Sequence, residues 1–155
     1  MIIQTERLIL RPFEKTDITW YYDLVQHPDV SKWLCALASS DRSIVERHVD
    51  IFSKGNMKDD FYYVITNNNQ EILGFIIAIR LNLTAIDVSY FLKEEYRHKG
   101  YMNEALKALV PAIRKVNPYY RIRMEVDKEN VLSLKVVKKL NANLVDKGKK
   151  YMCWL

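Results

Sequence analysis

At 155 residues, 49% hydrophobic and 28% charged, the chain has the size and composition of one folded domain, residues 1–155, with a core of its own. The apolar run Gly74 to Ile79 is far too short to span a bilayer, and Met1-Ile2-Ile3-Gln4-Thr5-Glu6-Arg7 lacks a secretory pattern, so a cytoplasmic protein without a membrane partner is expected. The net charge of +5 is uneven, with −3 over residues 14–60 and +8 over residues 93–150, a split that suits phosphates on one half and a cationic amine on the other.

Thr5 to Phe13 alternates, with Leu8 and Leu10 against Arg7, Ile9 and Arg11, and predicts a first strand ended by Pro12. Thr16-Asp17 predicts a cap for a helix carrying Trp20, Tyr21, Leu24 and Val25. His27-Pro28-Asp29 stops that helix, because a residue before proline avoids the α region. Ser39-Ser40-Asp41 opens a second helix with Ile44, Val45, His48, Val49 and Phe52 on one face, and Gly55-Asn56 ends it.

Three strands follow as an antiparallel meander: Phe61 to Thr66, Ile72 to Leu81 and Thr84 to Leu92. The second is nearly all apolar, as a strand covered on both faces would be. In the third, Ile86, Val88, Tyr90 and Leu92 share one face, with Asp87, Ser89 and Phe91 on the other. A long helix carrying Met102, Ala105, Leu106, Leu109, Val110 and Ile113 runs to Val116, with Pro111 inside it as an expected kink. Arg121 to Asp127 is a strand, and its order after strand and helix predicts a parallel pair with a right-handed crossover. Glu129-Asn130 opens a helix carrying Leu132, Val136, Val137 and Leu140. Asn143 to Val145 and Tyr151 to Leu155 close the chain. The result is an α/β (α+β) domain of order β-α-α-β-β-β-α-β-α-β-β, a mixed central sheet flanked by helices.

The informative stretch is Glu94 to Ala105: a strand end, a short basic turn with one glycine, and a helix start. A helix start offers unpaired N–H groups and a positive dipole end, and Arg97 and Lys99 add charge beside it, which together make a phosphate site. Cys35, Cys153, His27, His48 and His98 have no metal-ligand spacing, so no metal is expected, and the cysteines read as reduced structural thiols. Lysines and arginines are dispersed without a docking motif, so no nucleic-acid partner is expected.

Arg97-x-x-Gly100-x-Met102, followed by Asn103-Glu104-Ala105-Leu106, resembles the acetyl-CoA pyrophosphate loop of the GCN5-related N-acetyltransferase (GNAT) family, Gln/Arg-x-x-Gly-x-Gly/Ala. Met102 departs from that pattern, and His98 stands where this branch often has glycine. Arg7 to Phe13, His27 to Val30 and Asp127 to Ser133 resemble the branch containing ribosomal-protein N-terminal acetyltransferases. Asn141-Ala142 replaces the usual Gly-Phe. The resemblance spans nearly the whole chain and implies transfer of an acetyl group from acetyl-CoA to a primary amine of a small molecule or peptide, by direct attack in a ternary complex. The alternative is a non-catalytic acyl-CoA-binding module of the same fold. A homodimer is common among such folds.

The resemblance further implies that the strand before the loop splays from the strand after the long helix, and that the pantetheine arm lies between them. The backbone of Phe91 and Leu92 would pair with the arm, and the Leu92 amide would serve the carbonyl. Arg97, His98, Lys99, Gly100, Tyr101 and Met102 would hold the pyrophosphate. Asn130 would bond the arm or simply cap its helix. An amine is charged at neutral pH and must lose a proton, for which carboxylates Asp87 and Glu125 are the candidates, with Ser89 to position a water. A tyrosine acid common in relatives falls at Val137, which leaves Ser133 as the hydroxyl that could reach the sulfur. Trp20, Tyr21, Tyr22 and Trp33 lie where the family builds its acceptor wall, though core packing competes for them.

Overall fold

The computed structural model describes residues 1–55 and 59–155; Asn56 of the expected helix end lies outside them. In chain order the elements are β1 (Ile3–Gln4), β2 (Leu8–Pro12), α1 (Ile18–Val25), α2 (Pro28–Trp33), α3 (Arg42–Lys54), β3 (Phe61–Asn67), β4 (Ile72–Arg80), β5 (Ala85–Leu92), α4 (Tyr101–Val116), β6 (Arg121–Asp127), α5 (Val131–Lys139), β7 (Asn143–Asp146) and β8 (Lys150–Trp154). The strands form one sheet in the order β1-β2-β3-β4-β5-β6-β8-β7. Neighbours are antiparallel except β5 and β6, the expected parallel pair.

Two elements were not expected. β1 adds a short edge strand. The motif His27-Pro28-Asp29 ends α1 and also starts α2, because proline at a first helical position loses no hydrogen bond. His27 Nδ1 accepts from Asp29 N–H at 3.1 Å there. Asp17 does not serve as a plain cap. It is 3% exposed and takes both Arg11 Nη atoms at 2.8 and 2.7 Å, with Glu14 N–H at 2.7 Å and Trp20 Nε1 at 2.6 Å. Burial raises its pKa, but these donors overcome burial and hold the carboxyl below its ordinary range.

The sheet is covered on both faces. In β4, Ile76 and Ala78 join the core under α4 and α5, while Phe75 and Ile77 join the core under α1 and α3. Helix α4 buries Met102, Ala105, Leu106, Leu109, Ala112 and Ile113 and runs on past Pro111, which is exposed. In α5 the buried residue is Val137. Leu132, expected inward, is exposed, as is Ile44 of α3. No helix among the described residues is long and apolar enough to cross a membrane.

Candidate active site

Pairing between β5 and β6 covers Ala85↔Arg121, Ile86↔Ile122 and Asp87↔Arg123, and stops there. Beyond that apex the strands separate, and the gap opens into a cavity of about 420 Å3 reaching from α2 across β5 and β6 to α5. Strand alternation decides which β5 groups face the gap. Lys93 N–H donates to Leu73 O, and Phe91 stands opposite Phe75 in the same register. Lys93 and Phe91 therefore direct their main chain toward β4, and Tyr90 and Leu92 direct theirs toward the gap. Of the expected backbone pair, the Leu92 main chain faces the gap and the Phe91 main chain turns to β4, although both residues border the cavity. The Leu92 carbonyl is occupied by Arg97 Nε at 3.0 Å, which leaves its N–H as the free group.

The turn before α4 has positive φ at His98 (63°) and at Gly100 (79°). Glycine takes that conformation freely, and other residues rarely do. The backbone thereby exposes a series of donors: no described residue accepts from the N–H of His98, Lys99, Gly100, Tyr101, Met102 or Asn103. The side chains behave differently from the backbone. Arg97 reaches Asp29 of α2 at 2.7 Å and lies over the Phe91 ring, so its charge bridges α2 to β5. His98 and Lys99 are exposed. Met102 is 4% exposed and packs in the core under α4, so its bulk points inward while its N–H stays at the helix start.

Four hydrogen bonds hold this turn that the sequence did not single out. Glu104 accepts from Thr5 Oγ1 at 2.6 Å, Arg7 N–H at 3.0 Å and Arg7 Nε at 2.7 Å, and Arg7 Nη1 donates to Lys99 O at 3.1 Å. Partial burial raises the Glu104 pKa, and the Thr5 and Arg7 donors more than reverse it. The chain start is thus tied to the turn that presents the free amides.

The catalytic candidates separate. Asp87 does not line the cavity. It sits at the apex with Oδ1 against Arg123 Nε at 2.7 Å, so it is held as an ion pair where the strands are still joined. Glu125 does line it, with Lys150 Nζ at 3.3 Å and Arg123 Nη2 at 3.6 Å. Ser133 lines it from the first turn of α5, where its N–H donates to Asn130 Oδ1 at 3.1 Å. Asn130 is therefore a helix cap, and it also borders the cavity. Of the four aromatics, Trp33 alone borders it; Tyr21 is core, Trp20 is bonded to Asp17, and Tyr22 donates to Ser40 O at 3.1 Å. Cys153 is buried, but Cys35 is exposed at the cavity wall and is not the structural thiol expected.

The family model for the acetyltransferase (GNAT) domain matches residues 7–143. The chain belongs to the GNAT family. Among relatives, it is 25% identical over 143 residues to a Bacillus subtilis (strain 168) protein described as the uncharacterized N-acetyltransferase YnaD, covering 90% of this chain and 81% of that one. A GNAT-family acetyltransferase from Bacillus anthracis superposes with a TM-score of 0.87 at 19% identity, over 100% of this chain and 98% of the other. RimL, a ribosomal L7/L12 α-N-protein acetyltransferase solved with coenzyme A, superposes with a TM-score of 0.80 at 18% identity, over 100% and 97%.

This GNAT protein is an acetyl-CoA-dependent N-acetyltransferase, with acetyl-CoA as co-substrate. The comparisons favour the enzyme over the non-catalytic module. The residues present fit that co-substrate: six unpaired amides at one end of the cavity suit a diphosphate, and an unpaired strand edge leads inward from them. The GNAT departures also have physical accounts. His98 occupies a positive-φ position where glycine is easier, and Met102 follows the helical period into the core. Among the described residues no His, Cys, Asp and Glu cluster could hold a metal ion.

Proposed function

We propose that the protein acetylates a primary amine of a small molecule or a protein N-terminus, the amine attacking the thioester directly while both substrates are bound. The observation that carries this reading is the parting of β5 and β6 after Asp87 and Arg123, which exposes main-chain groups beside the free amides of the α4 turn. In this reading those amides hold the diphosphate, and the Leu92 N–H supports the carbonyl oxygen as it gains negative charge. Acetyl-CoA supplies the acetyl group as a thioester: the new bond is carbon–nitrogen, the bond lost is carbon–sulfur, and the electron pair leaves on sulfur.

Glu125, at the cavity wall, receives the amine proton directly or through one water, and Ser133 faces the departing sulfur. This reading assigns no part to Asp87, which lies outside the cavity lining and is held by Arg123 at 2.7 Å. Likeness to RimL favours peptide N-termini among the acceptors. The test is release of free thiol from acetyl-CoA across a panel of small amines and short peptides with free N-termini. Thiol release with at least one acceptor above the acceptor-free background is expected. Binding of CoA without release across the panel would refute the proposal.

A further inference from the structure

Lys32, Lys135, Lys139 and Lys150 border the cavity. Of these, Lys150 touches the carboxylate that receives the acceptor's proton in the function proposed above: its Nζ stands 3.3 Å from Glu125 Oε2. Lys32 Nζ instead lies over the Trp33 ring at 4.3 Å, and Lys135 and Lys139 belong to α5. Strand alternation puts Lys150 on the acceptor side. Met124, Val126, Tyr151 and Cys153 turn into the core under α4 and α5. Glu125 and Lys150 therefore turn to the opposite face of β6 and β8, where α2 borders the cavity.

Depth along the strands brings the thioester to the same place. The diphosphate end belongs at the α4 turn, beyond the end of β5, so the arm runs back along β5 toward the apex at Asp87 and Arg123. Carried on past the apex, the parallel register sets Glu125 level with Ser89, between the apex and Leu92. A primary amine, a carboxylate to take its proton and the acyl end of the donor thus meet in one cavity. We propose that Lys150 is a site of self-acetylation, its Nζ attacking the acetyl carbonyl of the chain's own bound acetyl-CoA when no other amine holds the acceptor's place. The inference rests on the function proposed above. A lysine ammonium cannot attack until it loses a proton, and Glu125 takes that proton. The carbon–nitrogen bond forms, and the carbon–sulfur bond breaks with its electron pair on sulfur. The second proton leaving the nitrogen passes through water to that sulfur, which departs as thiol, and Glu125 returns its own proton to solvent. The product is a neutral amide on the Lys150 side chain.

The test incubates the full chain with acetyl-CoA and no added amine, and follows acetyl-lysine at each position by peptide mass spectrometry. Lys147 and Lys149 are exposed on the same β7–β8 hairpin and line a neighbouring hollow but not the cavity, so they report uncatalysed acetylation by the reagent. Lys150 should be modified faster than either by about 100-fold or more, because a bound thioester beside a positioned amine outpaces one met by collision. Its rate per chain should not change with protein concentration, as for a reaction within one molecule. Lys150→Arg, which keeps a cation beside Glu125, should lack the fast-forming acetyl group. Glu125→Gln should slow Lys150 by about 100-fold, and Gly100→Trp should reduce it to the level of Lys147. Lys150 modified no faster than Lys147 and Lys149, a rate per chain that rises with protein concentration, or an equal rate in Glu125→Gln would each overturn the inference. A chain that acetylates an added amine and leaves Lys150 free defeats this inference alone. A chain that releases thiol with no amine of the panel and leaves Lys150 unmodified defeats the proposed function with it.

Discussion

Gly74 lies on β4, outside the cavity lining, yet its replacement by alanine should damage the site. A Cβ built there meets the Phe91 carbonyl oxygen at 2.0 Å and the Leu92 Cα at 2.9 Å. Non-bonded heavy atoms sit comfortably at about 3.5 Å, so the two strands must part by more than roughly 1 Å. The obstructing atoms are backbone, so no side chain can turn away. Overpacking of this kind costs ~3 kcal/mol, or roughly 6–12 °C in melting temperature for a chain of this size. The displaced segment carries the Leu92 N–H, and a misplacement on the order of 1 Å in a positioning element lowers turnover by about 100-fold. Circular-dichroism melts and kcat/KM for acetyl-CoA measure both effects. A Gly74→Ala protein that melts and turns over like wild type would refute the claim that this glycine sets the wall of the gap.

Arg11→Ala should cost ~3 kcal/mol in chemical denaturation, because it leaves the buried Asp17 carboxylate without its cation; a loss under about 0.5 kcal/mol would contradict this. The folded pKa of Asp17 lies below its ordinary value, so its contribution is fully present above the unfolded pKa of ~3.9 and is lost as pH falls through the lower folded value. Asp17→Asn should therefore have a shallower acid limb in stability against pH, and parallel limbs would speak against it. Glu104→Gln should loosen Arg7 and Thr5 from the α4 turn and weaken CoA binding about 5- to 10-fold, as for one or two charge-assisted bonds; unchanged affinity in calorimetry would remove Glu104 from the positioning of the loop. Ser133→Ala should lower kcat by about 10-fold or more, and a wild-type kcat would exclude its hydroxyl from the chemistry.

Local patterns carried most of the fold. Alternation located β5 and β6 because their side chains divide cleanly between two faces, and the β5–α4–β6 order implied the parallel pair. Pro28 was read as a stop, but a proline that ends one helix can open the next, and only the turn at His27 decides which. The glycine of the α4 turn was legible because the resemblance and the helix start both point to it. Met102 carried two readings, phosphate neighbour and core residue, and the helical period settled it. The placement of Asp87 outside the cavity lining was not legible because it depends on Arg123, which faces it through a strand pairing formed across 36 residues. Register of that range cannot be read from a pattern of period two. The Glu104 ties were hidden for the same reason, since they depend on Thr5 and Arg7, far away in the chain.

The most direct measurement is a calorimetric titration of the full chain with CoA, repeated on Gly100→Trp. Gly100 has φ of 79° and nothing nearer than Arg7 Nη2 at 3.6 Å to a Cβ placed there, so a tryptophan would strain the turn and stand over its amides. One site per chain in wild type, abolished in the variant, is the expected result. Equal CoA affinity in the two proteins would contradict the assignment of the α4 turn as the seat of the diphosphate.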